Sequence, residues 1–171
     1  MANKDQTYME QALRLARISA ALGEVPVGSL VVLNDEIIGT GINRREMSGL
    51  CFEHAEINAI RAASLCLGDW RLKGATVYST LEPCIMCAGA MLHARIERLV
   101  YGAHDPKFGA IDSLYALAQD ERLNHRFCVT KGVLADISAH LLQDFFWRVR
   151  KKKKADQTLA LNADQSSPIV S

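Results

Sequence analysis

The sequence predicts an α/β protein of three layers, a mixed sheet of about five strands covered by helices on both faces. Two observations predict it. After an opening hairpin, β-rich and helical runs alternate as strand, helix, strand, helix, strand. A composition 49% hydrophobic and 23% charged belongs to a globular chain, and 171 residues suffice for one domain with a real core but not for two ordinary ones.

Met9, Ala12, Leu13, Ala16 and Ala20 recur at the i, i+3, i+4, i+7 spacing of an amphipathic helix, with Gly23 placed as its stop. P-V-G-S-L-V-V-L and I-I-G-T-G-I flank N-D-E, which predicts a hairpin around a turn. His54 to Leu65 has helical composition, and A-T-V-Y-S-T is a short buried strand broken by Pro83. C-I-M-C-A-G-A-M-L-H-A reads as the next helix and R-L-V-Y-G as the next strand. Beyond a loop centred on H-D-P-K-F-G-A, a short helix is expected near Ser113 to Ala118 and a strand near Arg126 to Val133. A final helix aligns Ile137, Leu141, Phe145 and Val149 at four-residue spacing. The expected domain spans 1–154 and ends in this basic helix; 155–171 lacks a sustained pattern and is expected to be disordered.

The net charge of +1 is unevenly distributed. R-V-R-K-K-K-K, Arg148 to Lys154, carries +6 while Met1 to Trp147 sums to −3, a mildly acidic body with a basic end. Such a block is either a solvated tail or an electrostatic handle for a polyanion. No apolar run approaches the ~20 residues of a membrane span, and the N-terminus has no basic and apolar leader. The expected compartment is the cytoplasm. Five cysteines, odd in number, argue for reduced thiols over a disulfide framework.

Cys84 and Cys87 are three apart at a helix start, so both thiols share one face and can converge on an ion. The positive end of the helix dipole favours thiolate there. A pair of small buried hydrophobes and a thioredoxin-like redox pair are the competing readings. His54 opens a different helix and could supply a third ligand from a distant segment. Residues i and i+2 of a helix point about 200° apart, so His54 and Glu56 can face one metal only if His54 lies at the helix entry. Glu56 could then address a water. Two sulfurs and one nitrogen leave the fourth tetrahedral position open, the mark of a catalytic zinc.

H-A-E at His54 to Glu56 together with P-C-I-M-C at Pro83 to Cys87 resembles the two-part signature of the zinc-dependent nucleobase deaminases. E-V-P-V-G, G-I-N at Gly41 to Asn43, T-L-E-P-C-I-M-C-A-G-A-M, Y-G-A-H-D-P-K-F-G-A, N-H-R and D-F-F-W-R-V-R are similar to one branch, the bacterial tRNA adenosine deaminases that convert wobble adenosine to inosine. The likeness runs from about Thr7 to Arg150. It implies a cytidine deaminase-like fold, one zinc per subunit on His54, Cys84 and Cys87, and Glu56 as catalytic proton shuttle. It also implies Asn43 and the Ala55 backbone at the target nucleoside, and Asp105, Lys107, Phe145, Phe146 and Arg150 near a tRNA anticodon stem-loop. A homodimer with a composite RNA surface is implied as well. Phe145 also reads as core, Phe146 as either, Lys107 as a loop charge and Asn43 as a turn residue.

Upstream of His54 the chain departs from the family's small residues: it reads L-C-F-E-H-A-E where P-T-A-H-A-E is usual. Cys51 makes C-x-x-H with His54. Were it a fourth ligand, the site would be a closed structural zinc and the protein a binding module without catalysis. A deaminase of a free base or nucleoside is the other alternative, since it needs the same centre and no RNA surface.

Overall fold

The computed structural model describes residues 4–165. Helix α1 (Lys4–Ala21) is followed by the hairpin β1 (Gly28–Leu33) and β2 (Glu36–Ile42), a short α2 (Arg45–Ser48), α3 (Ala55–Leu67) and β3 (Thr76–Leu81). Then come α4 (Ile85–Ala94), β4 (Arg98–Ala103), β5 (Cys128–Thr130) and α5 (Ala135–Gln165). The strands form one sheet in the order β2-β1-β3-β4-β5. β1 is antiparallel to both neighbours, and the pairs β3–β4 and β4–β5 are parallel, so the sheet is mixed as expected. Asn34 and Asp35 both take positive φ, the conformation that lets a two-residue turn follow the twist of its strands.

Alternation along the strands divides the core into two layers. Val31, Val77, Leu99 and Tyr101 face Ala59, Ala63, Ala88 and Met91 of α3 and α4. Leu30, Val32, Tyr78 and Val100 face Met9, Ala12 and Leu13 of α1, with Val133 and Leu134 packed beside them. Each buried large side chain contributes roughly 1.5–3 kcal/mol. Gly41 of β2 lets α3 lie against the hairpin: a Cβ there would overlap the Ala55 carbonyl and stand 2.5 Å from the Ala59 nitrogen. Among the described residues no helix is long and apolar enough to cross a membrane.

The helix near Ser113, the extent of β5 and the stripe on α5 differ from the sequence expectations. In place of a helix over Ser113 to Ala118 there are turns and a single 3₁₀ turn at Leu117–Gln119. The backbone N–H groups of Ile111, Asp112 and Ser113 are drawn instead to the Glu82 carboxylate. β5 is confined to Cys128–Thr130: β4 runs on to Ala103, but Gly132 turns the chain at φ 82°, and beyond it only the Val133 N–H returns to β4, at the Tyr101 carbonyl. α2 was not anticipated; the Glu24 carboxylate accepts its N–H groups at Glu46 and Met47. On α5 the four-residue stripe is not a core face: Ile137 is 46% exposed, Leu141, Phe145 and Val149 are half-buried, and Ser138 is buried instead. A spacing of four drifts around a 3.6-residue helix, and α5, at 31 residues or about 46 Å, overhangs the short strands beneath it. It runs through the boundary placed at Lys154, so 155–165 are helical; 166–171, also expected to be disordered, lie outside the described residues.

Candidate metal centre

Two helix entries build the centre. His54 is the N-cap of α3, in extended backbone (φ −80°, ψ 154°), and its carbonyl accepts the first helical hydrogen bond from Asn58 N–H at 3.0 Å. Arg44 N–H donates to the Glu53 carbonyl at 2.9 Å, tying the end of the hairpin to the residue before His54. Cys84 is the N-cap of α4 (φ −73°, ψ 174°), and Ala88 N–H donates to its carbonyl at 2.8 Å, which sets Cys87 on the first turn. Both helices aim their positive ends inward. The crossing lies beyond the carboxyl ends of the parallel strands, where α/β sheets bind ligands.

Cys84 Sγ lies 3.6 Å from Cys87 Sγ and 3.6 Å from His54 Nδ1, and Cys87 Sγ is 3.5 Å from His54 Nδ1. A tetrahedral zinc with Zn–S of about 2.3 Å and Zn–N of about 2.0 Å requires sulfur–sulfur and sulfur–nitrogen edges of about 3.8 and 3.5 Å. The triangle therefore fits the ion without rearrangement. Cys51 is exposed and is not one of the three clustered donors, which removes the support for a closed four-ligand site. The Cys84 thiol is pulled down to about 4 by the hydrogen bond from Cys87, against burial, with help from His54 and the Cys87 backbone N–H. Cys87 is pushed up by the same hydrogen bond and by burial. A soft divalent cation would bind both sulfurs as thiolates and displace their protons. His54 is raised by its hydrogen bond with Cys84, burial opposing.

Glu56 stands two residues inside α3, 4% exposed, and feels the charges of His54 and Cys84. Burial raises its pKa, the condition under which a carboxylate both takes and gives a proton near neutral pH. Ala55 is fully buried at the same helix entry. Asn43, also buried, closes the hairpin and donates from Nδ2 to Glu24 Oε2 at 2.9 Å. Half-buried Asp105 and exposed Lys107 lie on the 104–113 loop, which reaches the centre through the bridge pairing Gly109 with Cys84. Phe145, Phe146 and Arg150 lie on α5, the first half-buried and the other two exposed; the two rings meet edge to face at 5.5 Å.

Two buried carboxylates escaped the sequence reading. Glu24 and Glu82 are each about 1% exposed, and each gathers the backbone of one loop beside the centre. Their signal is a lone acid in an apolar, proline-containing context, E-V-P and L-E-P.

Residues 2–103 match the model of the cytidine and deoxycytidylate deaminase zinc-binding region. A tRNA-specific adenosine deaminase of Streptococcus pyogenes serotype M1 is 45% identical over 166 residues, 96% of each chain. That of Bacillus subtilis (strain 168) is 47% identical over 152 residues, 89% of this chain and 94% of the relative. Among solved structures, one from a study of A-to-I editing by tRNA:A34 deaminases at the wobble position superposes with a TM-score of 0.77 at 43% identity. It covers 80% of this chain and 99% of that one. A guanine deaminase from Nitrosomonas europaea gives 0.69 at 26% identity over 82% and 83% of the two chains.

Proposed function

We propose, from the premise that the chain belongs to the zinc-binding cytidine and deoxycytidylate deaminase family and within it to the tRNA-specific adenosine deaminases, that it converts adenosine to inosine at the wobble position of a tRNA anticodon. The reaction consumes water and releases ammonia. One observation carries the reading: three clustered donors, one short of a tetrahedral set, beside a buried carboxylate.

His54, Cys84 and Cys87 would hold the zinc. When bound it supplies the Lewis acidity that lets water add to an aromatic base at neutral pH. Glu56 takes the first proton of the attacking water and delivers it to N1 of adenine, then takes the second from the hydroxyl now on C6 and passes it to the departing amine as the C6 carbonyl forms. That last transfer is needed because amide ion does not leave. Asn43 and the Ala55 N–H hold the nucleoside, the latter as one of the first helical donors without an intrahelical partner. Anticodon bases are single-stranded, so the target leaves its stack cheaply.

Asp105, Lys107, Phe145, Phe146 and Arg150 contact the RNA in this reading, and the exposed Arg148 to Lys154 run follows phosphate. The catalytic unit is 1–154, it works as a homodimer whose RNA surface both subunits build, and it acts in the cytoplasm. The test offers metal-replete protein an anticodon stem-loop carrying A at the wobble position, and separately free adenosine, cytosine and guanine. Inosine in the stem-loop is expected. Turnover of the free compounds alone would turn the assignment toward a nucleobase deaminase, the class to which the Nitrosomonas structure belongs.

A further inference from the structure

The Glu82 carboxylate is fully buried between the end of β3 and the first thiol of the centre. Its backbone N–H donates to the Ala103 carbonyl at 2.8 Å, which fixes it beside the end of β4. Oε1 accepts three backbone N–H groups, from Ile111 at 3.2 Å, Asp112 at 2.8 Å and Ser113 at 2.9 Å. Oε2 accepts the Asp105 N–H at 3.0 Å and the Ser113 hydroxyl. One side chain therefore grips both ends of the loop between Asp105 and Ser113. Within the loop Asp105 Oδ1 accepts from Lys107 and Phe108 N–H at 3.0 and 3.2 Å, and its tip presents an exposed Phe108. Gly109 has no room for a Cβ, which would overlap the Glu82 carboxylate. Ala110 N–H donates to the Pro83 carbonyl at 2.9 Å, so the loop rests on the same joint that carries Cys84.

We propose that Glu82 is a positioning residue for the RNA substrate: its buried carboxylate locks the Asp105–Ser113 loop to the Pro83–Cys84 joint, so that the loop side chains facing the anticodon and the reacting centre keep one fixed separation. The loop has no helix or strand of its own at this end, so without the carboxylate its N–H groups lose their acceptors. The proposal rests on the tRNA reading for the identity of the substrate, and on the hydrogen bonds alone for the locking.

The informative variant is Glu82→Gln. Its single carbonyl oxygen can serve the three N–H groups at Oε1, which turns the amide NH2 against the Asp105 N–H, donor against donor. Backbone hydrogen exchange should accelerate at Asp105, Lys107 and Phe108, with zinc content unchanged. On the wobble-A stem-loop KM should rise about tenfold while kcat falls by less than about threefold. Ser113→Ala, which removes one donor and leaves the carboxylate, should move both readouts the same way and less. Unchanged exchange at Asp105 in folded Glu82→Gln would overturn the locking whatever the substrate proves to be. Loss of zinc with kcat falling and KM constant would overturn it too, making Glu82 a support of the metal ligands alone. If the wild type leaves the stem-loop untouched, the tRNA reading fails, and the exchange measurement still decides the role of Glu82.

Discussion

Glu56 is where a single side chain carries most of the chemistry. Replacing it with alanine removes the proton carrier and leaves the three donors in place, so inosine formation should fall by at least about a hundredfold while zinc content by metal analysis stays at one per chain. Near-normal turnover in that variant would contradict the shuttle role. Cys51→Ala probes the neighbouring thiol. Because Cys51 is exposed and outside the donor triangle, zinc content and turnover should match the wild type. Glu82 makes an acid-sensitivity prediction. Burial alone would raise its pKa from 4.5, but the Ser113 hydroxyl and the backbone N–H groups of Ser113, Asp105 and Asp112 hold it at about 2. A lowered native pKa contributes stability that is complete above the unfolded value and is lost as pH falls through the folded one. The contribution is roughly 3 kcal/mol. Melting temperature should therefore drop more steeply between pH 5 and 2 in the wild type than in Glu82→Gln.

At the scale of elements, the centre depends on where two helices begin. A ligand at the N-cap escapes the 100° advance of the helix, which is how His54 can face the thiols while Glu56, two positions on, still lies beside them. The position of α3 depends in turn on the hairpin. Gly41→Ala would drive a methyl into the Ala55 carbonyl, and either β2 or α3 must yield. A cost of about 1–3 kcal/mol in urea unfolding is expected, with weakened zinc retention as His54 shifts from the sulfurs. Gly23→Ala is the contrast: nothing lies within 4 Å of the added carbon, so only the strain of its φ of 83° should register, with zinc retention untouched.

The whole molecule is an acidic body with a basic rod. α5 carries Arg148 and Arg150 to Lys154 beyond the sheet, and Lys151 stacks over the exposed Trp147 ring at 4.4 Å. If this segment follows phosphate, replacing Lys151 to Lys154 by alanine should flatten the dependence of stem-loop binding on salt. The slope of log affinity against log salt falls by about 0.7 to 0.9 for each phosphate that a lysine no longer neutralises. An unchanged slope would mean that the rod is solvated and contributes nothing to RNA binding.

The sequence by itself determined the chemistry and the order of elements. H-A-E and P-C-I-M-C name their own donors, since thiol and imidazole at helix entries have few competing uses, and strand and helix periods are local properties of the chain. Boundaries set by distant partners were not legible. The Ser113 to Ala118 segment has helical promise in its composition, yet its first N–H goes to a carboxylate 31 positions upstream and turns follow, and β5 ends where Gly132 turns the chain although its neighbour runs on to Ala103. Only the tertiary structure decided that Cys51 stands outside the donor set, that Phe145 is half-buried, and that Glu24 and Glu82 organise the rim. The physical reason is common to all of these. A side chain's ligand distances, its burial and the acceptors open to a backbone N–H are fixed by groups far away in the chain, and no local pattern encodes which of them arrive.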